Sequence, residues 1–381
     1  MLALLTSLSA AGRLSPSPAR EPRINLVRTP NGGIQPQTAL EADGVLHMIY
    51  FVGSASGGDI EYVRRESEHA AFSRPIRVNS RPNTAIAIGT VRGPQLAVGR
   101  KGNVYAIWFG PVETGANGKN SMPVFFARMN DRRTGFEPQR NLVQYAIGGD
   151  GGVSIAADKR GNVYAVWHAT GAEPGEAHRR VYLARSTDNG KTFSRERPVS
   201  PAELGACGCC GMRAYVDARG TLYLLYRDAV QSVRRDMALL VSTDHGTSFQ
   251  SQTLSTWELN ACAMTTAFLT SAQGRVVAAW ERAAEVYIAF LDNKTFVPAE
   301  TVAAPGKGHN RKHPAVAVAA NGDALLVWTE DTSWAKGGSL AWQMFDTAGK
   351  PLVGSGRAPG VPIWGLPAAV SERSGSFTVF Y

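Results

Sequence analysis

The sequence is poor in cysteine and in charged residues, and it has no long apolar run. Only 4 of its 381 residues are cysteine, and 19% are charged. No stretch approaches the roughly 18 consecutive apolar residues that a membrane helix requires. The chain also has no polybasic tail and no nucleic-acid-binding motif. We therefore expect no transmembrane segment and no nucleic-acid partner.

Glycine, in contrast, is abundant, and the net charge is positive. The chain has 40 glycines, as a fold with many tight turns requires, and 44% hydrophobic residues, which suits a filled core. The formal net charge is +9, and the arginines are spread along the chain. This charge has two interpretations, a basic soluble surface or a preference for anionic ligands such as acidic glycans.

One short pattern recurs seven times along the chain. A glycine is followed six residues later by Trp or Tyr, with mostly apolar residues between them, as in GNVYAVW at 161–167. The copies begin at Gly44, Gly102, Gly161, Gly220, Gly274, Gly322 and Gly375. Successive copies end 48 to 59 residues apart. A period near 50 residues indicates a propeller or another repeat array.

Each copy is interpreted as the second strand of a hairpin. A further apolar run precedes the glycine, and the glycine provides the positive φ of a tight turn. The pattern predicts an all-β propeller with seven inner hairpins. The segment Ile24 to Arg28 is similar to the outer strands that precede each hairpin, so we expect it to join the C-terminal hairpin and close the ring.

The first 22 residues are expected to lie outside the propeller. Residues 1–12 are apolar and end in small side chains, like the core and cleavage zone of a signal peptide, but no Lys or Arg precedes them. Residues 13–22 form a Pro/Ser-rich linker. We expect a signal or linker segment at 1–22, a single propeller domain at 23–381, and export to the periplasm or the medium.

Two eight-residue segments carry a family resemblance. STDNGKTF at 186–193 and STDHGTSF at 242–249 share the pattern S-x-D-x-G-x-[TS]-F, which resembles the Asp box of sialidase-like propellers. In that turn the aspartate accepts backbone hydrogen bonds, the glycine takes a positive φ, and the aromatic ring packs between sheets. The resemblance implies a sialidase-like fold, with a six-bladed ring as the alternative count. It puts the Asp boxes on the face opposite the active site.

A second resemblance extends over essentially the whole chain. ACGCCGMRA at 206–214, followed by WELNACAM at 257–264, resembles a family of exported bacterial sialidase-like propellers. This resemblance implies a fold and an exported context, and it does not imply a reaction.

Propeller geometry selects one face for function. Loops that enter the first strand of each blade and loops that leave the second strand lie on the same face, near the channel. As candidate catalytic residues we assign Arg92, Arg213, Arg227, Asp228, Glu281 and Arg282. As candidate binding residues we assign His168, Arg311, His313 and Glu330. The alternative is that these charges form ion pairs around a polar channel.

The resemblance to sialidases implies that exo-α-sialidase-type glycoside hydrolysis is a candidate reaction, and the residues which that reaction needs can be compared with this sequence. That reaction needs three arginines around a carboxylate, a tyrosine nucleophile with a carboxylate partner, and an acid. The chain departs from the family pattern, because Ile34-Gln35-Pro36-Gln37 stands where sialidases carry Arg-Ile-Pro, and because it has seven hairpins. Our interpretation is an exported, monomeric propeller of unknown reaction that binds an anionic small molecule or glycan. The alternatives are a sialidase-type hydrolase and a non-catalytic thiol- or metal-binding propeller.

All four cysteines belong to two loops of adjacent blades, so the fold should bring them together. They are Cys207, Cys209, Cys210 and Cys262. The least strained pairing joins 207 to 210 and 209 to 262. The alternatives are free or redox-active thiols, or a thiolate site for a soft metal, Cu(I) or Zn(II), with Met264 and His313 as further ligands.

Overall fold

The structure is a computed structural model that describes residues 23–114, 120–146, 149, 151–171, 173–231, 233–272 and 274–381. The predicted signal or linker segment at 1–22 lies outside the described residues. The described part of the chain is almost entirely β-strand and turn, and it holds no helix long and apolar enough to cross a membrane.

Seven sheets succeed one another along the chain, and six of them contain a four-stranded antiparallel meander. Blade 1 comprises the strands Ile34–Leu40, Leu46–Ser54, Gly57–Arg65 and Ile76–Arg77. Blade 2 comprises Gln95–Val98, Val104–Phe109, Val124–Arg128 and Arg140–Asn141. Blade 3 comprises Val153–Ala157, Val163–Thr170, Arg179–Ser186 and Arg197–Pro198. Blade 4 comprises the strands Arg213–Val216, Leu222–Ala229, Met237–Ser242 and Gln250–Ser255. Blade 5 comprises Ala267–Ala272, Arg275–Arg282, Glu285–Leu291 and Pro298–Ala303. Blade 6 comprises Lys312–Val318, Ala324–Glu330, Gly338–Phe345 and Pro351–Val361.

Short elements decorate these blades. Gly205–Ala206 pairs with the second strand of blade 4, and Glu113–Thr114 pairs with Asn120–Ser121 in a two-stranded ribbon. Single 3-10 turns occupy Pro30–Gly32, Arg100–Gly102 and Glu176–His178.

The seven repeat copies coincide with the second strands of the seven blades, as predicted. All seven turn glycines have positive φ, between 69° and 99°, a conformation that L side chains rarely adopt. The strand Val163–Thr170 is buried along its whole length, because neighbouring blades cover both of its faces. The count of seven blades is therefore confirmed, and the six-bladed alternative is wrong.

Blade 7 closes the ring, also as predicted. Its C-terminal hairpin comprises Ala368–Ser371 and Phe377–Phe380, and Ile24–Val27 pairs with the latter in parallel. In an antiparallel meander the fourth strand points the same way as the second. The N-terminal strand thus has the direction of an outermost strand but lies directly beside the second strand, so this blade has three strands.

The first strands of the blades surround a central channel. Their side chains line a cavity of about 390 Å³, with small residues such as Ala156 and Ala317 along the wall. The apolar core lies between successive blades, where Trp167 of blade 3 packs in one cluster with Ile107 of blade 2. The channel mouths are consequently rimmed by loops on a rigid scaffold, the usual position of functional groups.

The two turns that resemble Asp boxes, at 186–193 and 242–249, are stabilised by hydrogen bonds to their aspartates. The Asp188 carboxylate accepts hydrogen bonds from the Thr192 N–H (2.9 Å), the Thr192 hydroxyl (2.6 Å) and the Ser186 hydroxyl (2.7 Å). Although burial opposes ionisation, these bonds lower the pKa of Asp188 to about 2. Phe193 packs edge-on against Phe126 of the preceding blade, with centroids 4.8 Å apart.

Candidate functional site

Loops that enter and leave the blades meet at one mouth of the channel. The Cys207 N–H donates to the Arg227 carbonyl (2.9 Å), and the His313 N–H donates to the Glu281 carboxylate (2.9 Å). Each contact joins an entering loop to the end of a second strand. Because Arg227 also donates to the Glu281 carbonyl, these four predicted residues lie together, but the environments of the predicted residues differ greatly.

Arg213 lies at the mouth, where it begins the first strand of blade 4. Its Nη1 donates to the side-chain carbonyls of Gln37 (2.7 Å) and Gln95 (2.6 Å), from the first strands of blades 1 and 2. Its guanidinium lies 4.5 Å from the centroid of the Phe268 ring. Burial lowers the pKa of Arg213 to about 10, so this cation stays charged at neutral pH.

The Glu281 carboxylate organises the adjoining loops. This carboxylate, 2% exposed, accepts the Thr266 N–H (2.8 Å), the Thr266 hydroxyl (2.9 Å) and the His313 N–H through Oε1. The Lys312 Nζ lies 3.7 Å from Oε2. Burial lowers the pKa of His313 to about 4, against the influence of Glu281, so the imidazole is neutral at neutral pH. Glu281 is a positioning group for residues that line the mouth.

Two tryptophans form a wall beside this site. Trp334 and Trp364 meet edge to face at 4.7 Å, and Trp334 is 60% exposed. They line a cavity of about 100 Å³ together with Met264, Lys312 and His313. His313 also lines the pocket of Arg213, so the two recesses adjoin. Sequence reasoning missed both tryptophans; the available signal was that they stand outside the repeated strand pattern.

Two of the predicted arginines are fully engaged within the protein. Arg227 is 1% exposed; it donates to the Thr265 hydroxyl (2.8 Å) and to the carbonyls of Arg235 and Glu281. Arg311 is 2% exposed and contacts the carboxylates of Glu330 (3.2 Å) and Glu285 (3.0 Å). It also donates to the carbonyls of residues 304 and 305. These guanidinium groups cross-link loops and leave few donors for a ligand.

The other predicted arginines have protein partners as well. Arg282 donates to the Tyr287 hydroxyl (3.2 Å) and lies over that ring at 4.8 Å. Arg92 donates to the Ile88 carbonyl (3.0 Å).

Three further predicted residues are buried. Asp228 accepts the Asp236 N–H (2.8 Å), and burial raises the pKa of Asp228 to about 6. The His168 Nδ1 bonds to the Gly151 carbonyl (3.1 Å), and burial lowers the pKa of His168 to about 3. Glu330 accepts the Trp328 indole N–H (3.0 Å) and pairs with Arg311.

The cysteines form one cluster next to the mouth. Cys209 and Cys262 are joined in a disulfide with a Cα–Cα distance of 6.5 Å, as predicted. The other predicted bridge is not formed: Cys207 and Cys210 are free thiols, although a turn closed by the Cys210 N–H and the Cys207 carbonyl sets their sulfurs 3.3 Å apart. The Sγ atoms of residues 207, 209 and 210 lie within 4.8 Å of one another, close enough to share an ion.

The two free thiols differ in acidity. The hydrogen bond with Cys210 and burial raise the pKa of Cys207. Burial alone would raise the pKa of Cys210 too, but the Cys207 thiol, the charge of Arg227 and the Thr265 hydroxyl outweigh it and lower the pKa of Cys210 below its ordinary value. Met264 lines the tryptophan cavity, and its carbonyl accepts a bond from Lys312 (2.9 Å).

Comparison with known proteins shows a likeness of fold. No protein-family model matches the chain, and no curated protein matches its sequence. Among solved structures, a protein of unknown function from Dyadobacter fermentans has 13% identity and a TM-score of 0.55, over 82% of this chain and 95% of that one. The Hadza microbial sialidase Hz136 has 13% identity and a TM-score of 0.53, over 83% and 69%. The polysaccharide lyase Uly1 has 12% identity and a TM-score of 0.49, over 83% and 78%.

The match to the sialidase Hz136 supports a propeller fold. The fold is that of the sialidase-type propellers, and at these identities the likeness concerns the fold alone.

Proposed function

We propose that the protein is an exported propeller that binds an acidic sugar, free or within a glycan, at the channel mouth. The observation that carries this proposal is the state of Arg213. Both of its hydrogen bonds use Nη1 and end on neutral amides, and within the described residues no carboxylate neutralises its charge. Nε and Nη2 make no hydrogen bond with the described part of the chain. A guanidinium with two such donors suits the bidentate binding of a carboxylate.

The tryptophan wall supports a sugar as the carrier of that carboxylate. The exposed face of Trp334 offers an apolar surface in the recess of Lys312, which adjoins the pocket of Arg213. Ligand pockets commonly combine aromatic walls with a few placed polar groups. A uronic or sialic acid presents a carboxylate together with an apolar ring face, which matches both halves of the site.

Isothermal titration calorimetry with glucuronate, galacturonate and N-acetylneuraminate, against glucose and galactose, tests this function. We expect at least one acid to bind and the neutral sugars to bind more weakly. Arg213→Gln should lower the affinity for the acid by roughly 10- to 100-fold, because a hydrogen bond to a charged group contributes about 1.5–3 kcal/mol.

Arg282→Gln is the matched control, since Arg282 lies on the same face but packs on Tyr287. It should leave the affinity unchanged. Equal binding of acidic and neutral sugars, or unchanged affinity in Arg213→Gln, would contradict the proposal.

We favour binding over sialidase-type hydrolysis because the N–H groups of Arg227 and Arg311 already donate to carbonyls and carboxylates of the protein. A three-arginine clamp would need those donors. A fluorogenic aryl α-sialoside distinguishes the two functions: turnover that disappears in Arg213→Gln would favour the hydrolase.

We also propose that the reduced cysteine cluster binds a soft ion, Cu(I) or Zn(II). Three sulfurs within 4.8 Å support this, and thiolates are the preferred ligands of both ions. The Cys209–Cys262 disulfide supports an oxidising compartment, where the site would be closed to metal. Metal analysis after reduction and gel filtration should find one ion per chain, and none in the double variant Cys207→Ser/Cys210→Ser. Equal metal retention by that variant would exclude the site.

A further inference from the structure

We propose that the four cysteines form an internal thiol–disulfide exchange site, in which the disulfide passes from Cys209–Cys262 to Cys207–Cys210. The inference rests on sulfur positions and burial and is independent of the proposed ligand. A structural staple would need one bridge, yet this chain sets two reduced thiols directly against an existing disulfide.

The sulfurs form a continuous chain from the interior to the surface. Cys210 and Cys207 are fully buried, with sulfurs 3.3 Å apart. The Cys207 sulfur lies 3.4 Å from that of Cys209, which is partly exposed. Cys209 is bonded to Cys262, which is exposed. Each sulfur is therefore in contact with the next, and only the outer end of the chain meets solvent.

The exchange proceeds in two balanced steps. With Cys210 as a thiolate, Cys207 passes its proton to the Cys210 sulfur, and the resulting Cys207 thiolate attacks the Cys209 sulfur; a 207–209 bond forms, the 209–262 bond breaks, and Cys262 leaves as a thiolate. Cys262 takes a proton from water and Cys210 returns one to water. The Cys210 thiolate then attacks the Cys207 sulfur, so that a 207–210 bond forms, the 207–209 bond breaks, and Cys209 leaves as a thiolate. One disulfide is exchanged for another, and no external oxidant or reductant is consumed.

The surroundings favour sulfur chemistry at the inner end. The Thr265 hydroxyl donates to the Cys210 sulfur (3.4 Å), and the buried Arg227 Nε donates to that hydroxyl (2.8 Å). This relay directs a positive charge and a hydrogen-bond donor towards the sulfur. It does so in a site from which water is excluded, where such contacts are strong.

The exchange would act on the loop that borders the mouth. Cys262 is two residues from Met264 and four from Thr266, which line the two recesses. In the observed state the disulfide ties this loop to blade 4. After exchange the blade 4 turn holds its own bridge, and the loop is released.

Differential alkylation of the folded, full chain without reductant tests the inference. N-ethylmaleimide labels thiols that reach the surface; after denaturation an isotopic maleimide labels the rest, and mass spectrometry locates both labels. We expect progressive surface labelling of Cys262 at a rate independent of protein concentration, with a 207–210 disulfide appearing in the same proportion. Unfolding alone cannot label Cys262, because its sulfur stays bonded until another sulfur displaces it.

The variants separate the two steps. Cys207→Ser removes the attacking sulfur, and Cys262 labelling should be lost. Cys210→Ser lacks the sulfur that takes the Cys207 proton, so it should release Cys262 more slowly than wild type and should accumulate a 207–209 disulfide. Circular dichroism checks folding, and if Cys207→Ser does not fold, the wild-type chain still decides. Wild-type chain that retains only the 209–262 disulfide under prolonged labelling, or Cys207→Ser labelled as fast as wild type, would overturn the proposal.

Discussion

Replacing Glu281 by alanine should destabilise the fold. Replacing it by glutamine should leave the stability much closer to that of the wild type. The carboxylate of Glu281 accepts hydrogen bonds from two backbone donors, the N–H groups of Thr266 and His313. It also accepts the Thr266 hydroxyl. Alanine orphans both backbone donors in a buried site, whereas glutamine keeps an acceptor oxygen in the same place.

The size of the effect follows from these contacts. An unsatisfied buried donor costs about 1–3 kcal/mol, so two donors predict a loss of about 4 kcal/mol in the free energy of unfolding for Glu281→Ala. With an unfolding entropy of about 2.1 cal/mol/K per residue, roughly 360 residues give about 0.75 kcal/mol/K, and the melting temperature should fall by about 5 °C. Glu281→Gln loses only the charge opposite Lys312, 3.7 Å away, and should cost about 1 kcal/mol.

Urea denaturation and thermal melting followed by circular dichroism measure both variants. Glu285→Ala is the control, because this glutamate begins the next strand and is partly exposed, and its partner Arg311 keeps Glu330 and two carbonyl acceptors. It should cost under about 1 kcal/mol. If Glu281→Ala costs no more than Glu281→Gln, the orphaned-donor reasoning is wrong.

Three further predictions concern acid stability and the tryptophan wall. The Asp188 pKa lies near 2 in the folded chain, below its ordinary 3.8, so its stabilising contribution is complete above about pH 4 and is lost as the pH falls through about 2; Asp188→Asn should flatten the urea midpoint over this range, and an unchanged slope would refute this. The His313 pKa lies near 4, below 6.5, so the unfolded chain binds the extra proton and stability falls as the pH drops from about 6.5 to 4; His313→Gln should reduce that slope, which midpoints at pH 4 to 7 would reveal. Trp334→Ala should lower the unfolding free energy by about 0.5–1.5 kcal/mol, because the ring is 60% exposed but its edge-to-face contact with Trp364 is lost, and should weaken binding of the acidic sugar by about 2- to 12-fold in calorimetry; a stability loss without a binding loss would make the ring structural.

Local chemistry explains why the fold was predictable. The seven turn glycines mark positions that need positive φ, and the run that follows each one forms a largely buried strand. That Ile24–Val27 joins the C-terminal hairpin and closes the ring could also be predicted from the sequence, since this segment carries the pattern of an outer strand. These signals are short in range, because turn dihedrals and strand burial depend on a few neighbouring residues. The parallel pairing of Ile24–Val27 with Phe377–Phe380 could not be predicted from the sequence, because it depends on which strand blade 7 lacks.

The sequence by itself determined that charges and cysteines would gather at one mouth of a seven-bladed ring, while tertiary structure alone decided what each side chain does there. Arg213 and Arg227 look alike in sequence, yet one meets two amide oxygens at the channel mouth and the other is sealed between carbonyls. Likewise, only the folded chain separates the bonded pair Cys209–Cys262 from two buried thiols. The physical reason is that the deciding contacts join different blades: Arg213 to Gln95, Arg227 to Glu281, and Cys209 to Cys262 are each at least 53 residues apart along the chain.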